Sequence, residues 1–198
     1  AESGTLTEPD SKMPQPLDLI GHGMLALTRA SLATLRTALL RDGGPDAAAY
    51  LQEAGYAGGD AMWEAFKRWL AERTDIPAES LDVESFEQRA TEFFRDAGWG
   101  SITVGSIGDV VATLDSSDWG EADPQSGMDH PCCHLTTGMF ADLFGRVAGA
   151  PVAVLEVECR SSGAPRCRFL VGSPAVMEQI YDEMGRGEPY EDAIGACA

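Results

Sequence analysis

The hydrophobic pattern of the chain changes its period at Gly98, and this change constrains the fold more than any other feature. Before Gly98 the apolar residues recur at helical spacing, whereas after it they fall into short runs rich in Val and Ile. Apolar residues every three or four positions predict amphipathic helices, and short β-branched runs between turn residues predict strands. A helical half followed by a half built on strands is therefore expected.

The helical half is predicted to contain three helices. The first ends at residues 42–44, the second runs from Pro45 to Arg73, and the third follows Glu84 and stops at Gly98. Three glycines interrupt the second helix, which predicts either a bend or a very close contact with another helix. These glycines are Gly55, Gly58 and Gly59.

The second half is predicted to form a sheet with helices grouped around it. In chain order it holds strands 102–107 and 110–114, a polar loop 115–131, a helix 133–147, a hairpin of strands 152–159 and 167–171, and C-terminal helices from Pro174 onward. Hairpins with grouped helices predict an α+β fold with an antiparallel sheet. We expect a flexible N-terminal tail, 1–16, and a single domain, 17–198, divided into a helical part 17–98, a sheet core 99–172 and C-terminal helices 173–198.

The charge of the chain limits its partners. The 14 basic and 32 acidic residues give a net charge of −18, which repels nucleic acid and anionic membrane surfaces. The acidity is explained either by solubility or by a docking surface for a basic partner. No run of about 18 apolar residues predicts a membrane span, and no signal-peptide layout opens the chain. A cytoplasmic protein that does not bind DNA directly is expected.

The cysteines are clustered, since four of the five fall between Cys132 and Cys167. A disulfide framework usually spreads its cysteines and pairs them all, so metal or thiol chemistry is favoured. Cys159 and Cys167 lie on the two strands of the predicted hairpin, at the same end of the sheet. Cys133 begins the preceding helix, where a thiolate is favoured. Three thiolates suit zinc and not magnesium or calcium, although three unconnected core cysteines remain the alternative.

The residues around these cysteines resemble the 4-vinyl reductase domain family. The segments that carry the resemblance are 133–138, 149–152, 156–160, Gly163 and 167–169, within about 100–172. The chain is also similar to the zinc-containing sensor domains of phenol- and toluene-responsive bacterial transcription activators, and to the 4-vinyl reductase homologue of bacteriochlorophyll synthesis. This resemblance implies a fold like that of the TRAPP trafficking subunits, with a cavity for a small hydrophobic ligand.

The resemblance also implies the zinc ligands. They are Cys133, Glu156, Cys159 and Cys167. In an ideal strand Glu156 and Glu158 would face together, opposite Cys159, so Glu156 joins the site only if the strand bends or bulges near Val157. Cys132 is the alternative to its neighbour, and a buried place at the helix cap is expected for it. A zinc with four protein ligands has no open position, so a structural role is implied.

Candidate ligand contacts are aromatic residues near the predicted pocket, with a place in the core as the alternative. They are Trp99, Trp119, Phe94, Phe140 and Phe144. The phenol sensors hold a hydroxyl group with a histidine and a tryptophan. No histidine of this chain matches that position, so a larger apolar ligand is as well supported as a phenol.

Two further functions compete with a sensor or carrier of an aromatic or tetrapyrrole ligand. One is a dimeric adaptor, since the Ala- and Leu-rich early helices could pack against a second copy, and a homodimer is expected in either case. The other is an enzyme that reduces a tetrapyrrole vinyl group, but no cofactor fingerprint or catalytic arrangement is recognisable. A sensor would pass its output to a protein partner.

Overall fold

The computed structural model describes residues 17–19, 21 and 23–197, so the predicted tail 1–16 lies outside the described residues. The predicted α+β class with an antiparallel sheet is confirmed. The helices are α1 (Arg29–Asp42), α2 (Ala47–Ala71), α3 (Val83–Asp96), α4 (His134–Ala148), α5 (Pro174–Gly185) and α6 (Tyr190–Gly195). The strands are β1 (Thr103–Ile107), β2 (Val111–Ser116), β3 (Ala153–Glu158) and β4 (Cys167–Gly172). None of the described helices is both long enough and apolar enough to cross a membrane.

The sheet has the strand order β1-β2-β4-β3, and all neighbouring strands are antiparallel. Because successive side chains of a strand face opposite sides, each strand contributes to two separate cores. On the inner face, Phe169 and Val154 pack in the larger core with α2, α3 and α4. On the outer face, Leu170 packs with Met177 of α5 and Ile194 of α6. Helices therefore cover both faces of the sheet.

Helices α2 and α4 approach each other closely through glycines. A Cβ atom on Gly55 would lie 1.9 Å from the carbonyl oxygen of Leu135, and one on Gly138 would lie 1.9 Å from that of Gln52. Helix α2 runs unbroken through its glycines. Of the two alternatives predicted for these glycines, the structure has the close helix contact. It fixes the first turn of α4 against α2, and this turn carries the candidate site.

Candidate metal centre and ligand cavity

Four side chains predicted as metal ligands lie together at one end of the sheet. They are Cys133 at the N-cap of α4, Glu156 in β3, Cys159 just after β3, and Cys167 at the start of β4. Their ligand atoms all lie within 4.8 Å of one another. The three cysteines are fully buried and Glu156 is half-buried. We call these four residues the cysteine cluster.

A bulge in β3 directs Glu156 and Cys159 to the same side. Glu156 pairs with Phe169, whereas Glu158 pairs with the next residue of β4, Arg168, so Val157 is the extra residue. The bulge reverses the alternation beyond Val157 and sends Glu158 to the outer face. There Glu158 accepts hydrogen bonds from Arg166 and from Tyr190 of α6. The irregularity that Glu156 requires is present, and Glu158 has other partners.

One carboxylate oxygen of Glu156 lacks a hydrogen-bond partner. Its Oε2 accepts the backbone N–H of Cys133 at 2.7 Å, which holds the carboxyl group against the start of α4. Its Oε1 is buried and has no hydrogen-bond partner among the residues that the structure describes. A buried acceptor without a partner costs free energy, and a metal ion would satisfy it. The donor set, three thiols and one carboxylate, fits zinc.

The acidic groups of the cysteine cluster perturb one another. Burial raises the pKa of Glu156 to about 9, and the negative charge of Cys159 acts in the same direction. Hydrogen bonds from Cys132, Cys133 and Cys167 lower the pKa of Cys159. Hydrogen bonding to Cys159 raises the pKa of Cys133 well above its usual range. Without a cation, one thiolate is stabilised at the expense of its neighbours, and a bound metal ion would replace their protons.

The two remaining cysteines lie outside this group. Cys132 is fully buried, and its thiol hydrogen-bonds Cys159 from outside the four mutually close ligand atoms. Cys197, near the C-terminus, donates its thiol to the carbonyl oxygen of Ala193 at 3.3 Å. Cys132 therefore packs beside the cluster, at the start of α4, and Cys197 lies with α6.

Glu121 caps α4 from the preceding loop, a role that sequence reasoning missed. Its carboxylate accepts the backbone N–H groups of Leu135 and Thr136, at 3.1 and 2.8 Å, and the hydroxyl of Thr136. A carboxylate is stabilised at the positive end of a helix. Burial nevertheless raises the pKa of Glu121 above its usual range. Loop 115–131 has no hydrophobic period, so no sequence signal distinguishes Glu121 from the other acids.

Arg36 of α1 is the second buried charge that sequence reasoning missed. Only 1 % of its surface is exposed, and its Nη1 donates to the backbone carbonyl of Glu121. Its Nε and Nη2 have no hydrogen-bond partner within the described part of the chain. Arg36 also lies close enough to the Glu121 carboxylate to favour its charged form. We call Arg36 and Glu121 the arginine cluster.

An apolar cavity of about 510 Å³ lies beside the start of α4. Its wall combines the segment before α1, the first turn of α1, the middle of α2 and the end of α3. The lining residues include Leu27, Arg29, Leu32, Ala61, Trp99 and Leu135. Leu135 lies two residues after Cys133, so the first turn of α4 joins the cavity wall to the cysteine cluster.

Of the five predicted ligand contacts, Trp99 lines this cavity. The other four pack in the inner core and are absent from the walls of the cavities found among the described residues. Trp99 stacks on Trp119 with 5.6 Å between ring centroids, and Trp119 continues to Phe140 at 5.2 Å. Trp119 also donates its Nε1 hydrogen to the Thr136 hydroxyl at 2.7 Å. Trp99 thus connects the cavity with the aromatic core.

Comparison with known proteins places the site within a family pattern. Residues 122–173 match the vinyl-4-reductase domain, which includes the whole cysteine cluster, so the predicted resemblance to the 4-vinyl reductase domain family is confirmed over this segment. A stretch of 41 residues is 46 % identical to the bacteriochlorophyll synthase 23 kDa chain of Cereibacter sphaeroides. That stretch covers 21 % of this chain and 20 % of the relative, so the match spans about a fifth of the relative's length.

Two solved structures share the fold over most of this chain. The phenol-responsive sensory domain of the transcription activator PoxR, solved with phenol, has a TM-score of 0.55 and 18 % identity, and 76 % of each chain is covered. Trafficking protein particle complex subunit 3 from Naegleria fowleri, covalently bound to palmitic acid, has a TM-score of 0.56 and 13 % identity. That match covers 73 % of this chain and 91 % of the subunit. The predicted similarity to both folds is confirmed.

Proposed function

We propose that this chain, with its segment similar to the vinyl-4-reductase domain, is a sensor or carrier domain that binds a small hydrophobic molecule beside a structural zinc ion. The observation that carries the proposal is the apolar cavity of about 510 Å³, lined largely by leucine, methionine, alanine and tryptophan side chains. Small-molecule sites in proteins are apolar clefts of roughly 300–1,000 Å³. The cavity has the size and the lining for an aromatic compound or part of a tetrapyrrole.

The zinc ion would act as a tether. The cysteine cluster would supply four ligands, which leaves no open position for water or substrate, so the ion contributes structure and no chemistry of its own. It would join the β3–β4 hairpin to the first turn of α4. Because Leu135 in that turn lines the cavity, the tether would hold one wall of the binding site in place.

The relatives support a hydrophobic ligand, and this chain's own contacts favour one larger than phenol. The PoxR domain responds to phenol and the trafficking subunit carries palmitic acid. Here the single N–H donor of Trp119 is already bound to Thr136, so it is not available to a ligand hydroxyl. Thiolate ligands persist in reducing compartments, which supports a cytoplasmic location.

A homodimeric adaptor is the second candidate function. Leu35 on α1 is 58 % exposed, and Leu27 before α1 is also exposed, so an apolar strip is available to a second copy or to a protein partner that receives the output. Exposed apolar surface of this kind marks interaction sites when it is continuous. A homodimer is compatible with both candidates, because the cavity and the strip are adjacent.

Native mass spectrometry of the purified protein tests the ligand. We expect the wild-type chain to retain an organic molecule, and Ala61→Trp to lose it because the indole would occupy the cavity. Ala57→Trp is the matched control, since Ala57 is an exposed residue of the same helix and is absent from the cavity wall. A wild-type dimer that is always empty, with unchanged binding in both variants, would support the adaptor instead.

Elemental analysis tests the metal. We expect about one zinc per chain in protein purified without added metal. Glu156→Gln should lower zinc affinity at least tenfold, because it replaces a charged ligand with a neutral amide. Glu158→Gln is the matched control, since Glu158 points to the outer face and bonds Arg166 and Tyr190. Equal zinc affinity in the two variants would remove Glu156 from the ligand set.

A further inference from the structure

We propose that the ligand of this domain carries an anionic group, such as a carboxylate, and that Arg36 binds that group while the apolar body fills the cavity. This inference rests on the proposed function, because it names the chemistry of the ligand in the same cavity. It is carried by a buried guanidinium with two unsatisfied N–H-bearing nitrogens, placed one helical turn from the cavity wall.

Arg36 lies on the face of α1 that forms the cavity wall. Arg29 and Leu32 line the cavity, and Arg36 follows Leu32 by four residues and Arg29 by seven. Residues at these spacings lie on one face of a helix, about 6 Å apart for each four-residue step. Arg36 also donates to the carbonyl of Glu121, which directly follows Gly120, another residue of the wall. Its position is therefore the inner end of the cavity.

The bonding of Arg36 is incomplete in a chain that is rich in acids. Arg41 of the same helix pairs with Asp42, and Arg168 of the sheet pairs with Asp115. Arg36 instead reaches a backbone carbonyl, and its Nε and Nη2 have no partner among the described residues. The Glu121 carboxylate accepts three hydrogen bonds at the start of α4. A buried guanidinium in this condition is costly unless an acceptor completes it.

A carboxylate is the group that matches these free donors. A guanidinium presents its N–H groups in a planar fork that fits the two oxygens of a carboxylate. Arg29 is a weaker candidate, because it is exposed and already donates to the carbonyls of Gly98 and Asp118. Arg36 does not itself line the cavity, so binding requires its long side chain to change rotamer toward the wall. An apolar acid would then have its charged end inside and its body against Leu32 and Trp99.

Calorimetric titration with 2-naphthoate and 2-naphthamide, two probes of the same shape that differ in charge, tests this inference on the full zinc-loaded chain. We expect the wild type to bind the acid at least tenfold more tightly than the amide. Arg36→Gln should reduce this ratio to about one, and Arg36→Lys should retain part of it. Arg41→Gln is the matched control, since it removes the same charge from an exposed position of α1, and it should keep the wild-type ratio.

The outcomes separate this inference from the proposed function. Equal affinity of the wild type for acid and amide would overturn the role of Arg36 and leave hydrophobic binding in place. An unchanged ratio in Arg36→Gln would do the same. If Arg36→Gln does not fold, the wild-type ratio together with Arg36→Lys decides the matter. Failure of both probes to bind the wild type would overturn this inference and the proposed cavity function together.

Discussion

The cysteine cluster and the arginine cluster flank the first turn of α4, and they have opposite requirements. The cysteine cluster gathers four acidic groups and leaves the Oε1 atom of Glu156 without a donor. The arginine cluster buries a guanidinium and leaves two of its nitrogens without an acceptor. The first needs a cation and the second needs an anion. Both observations concern the part of the chain that the structure describes.

The difference shows how an unsatisfied buried atom indicates the chemistry of its partner. In the cysteine cluster the four ligand atoms are mutually close, so a single small ion satisfies them all. In the arginine cluster the free donors belong to one side chain beside a cavity, so the partner is the charged end of a larger molecule. The first partner would stabilise the fold, and the second would select the ligand.

The largest effect is expected from breaking the cysteine cluster. Cys159→Ser should lower the free energy of unfolding by several kcal/mol, because structural zinc supplies on the order of 10 kcal/mol in small domains. Urea denaturation of the zinc-loaded protein measures this loss. Cys197→Ser is the control, since Cys197 is partly exposed and distant from the cluster, and it should change the free energy by less than about 0.5 kcal/mol. Similar losses in both variants would contradict a structural metal.

A smaller effect is expected from moving the turn that both clusters share. Gly55→Ala should cost roughly 1–3 kcal/mol, because the new Cβ would lie 1.9 Å from the backbone carbonyl of Leu135 and would force α2 from α4. Gly58→Ala is the control in the same helix, where a Cβ meets nothing within 4 Å. It should stabilise the helix by about 0.4–1 kcal/mol. Thermal unfolding of both variants measures the contrast, and equal shifts in Tm would argue against a close helix contact.

The smallest effect is expected from removing the charge of the arginine cluster. Arg36→Met should change the free energy of unfolding of the ligand-free protein by less than about 1 kcal/mol, because an apolar replacement for an incompletely bonded buried ion is often neutral. Chemical denaturation measures the change. A loss of roughly 3–5 kcal/mol would instead make Arg36 half of a required ion pair with Glu121. The contrast between a stabilising cluster and a selecting cluster would then fail.

The helical and strand halves were predictable because each depends on local periodicity. The change at Gly98, the hairpin of β3 and β4 and the close helix contact at the glycines all follow from residue types at short spacing. The metal residues were found from clustered cysteines and a family resemblance, and the structure places them together. The bulge at Val157 could be named as a requirement, but only the pairing with β4 established it.

Contacts between distant parts of the chain decided the rest. Arg36 and Glu121 are 85 residues apart in sequence, and nothing local to either predicts that an arginine of α1 is buried against the loop before α4. Phe94, Trp119, Phe140 and Phe144 were predicted as ligand contacts, and whether they contact a ligand stays a prediction. Packing decides which aromatic lines a cavity, because that depends on helices whose relative positions no single segment encodes.

The sequence by itself determined the α+β order of elements and the residue types able to hold a zinc ion, because periodicity and ligand chemistry are properties of the chain. Tertiary structure alone decided that Glu156 faces the cysteines while Glu158 faces α6, and that Arg36 is buried beside an apolar cavity. These outcomes depend on strand register and on helix packing, in which each residue's environment is set by partners far away in the chain.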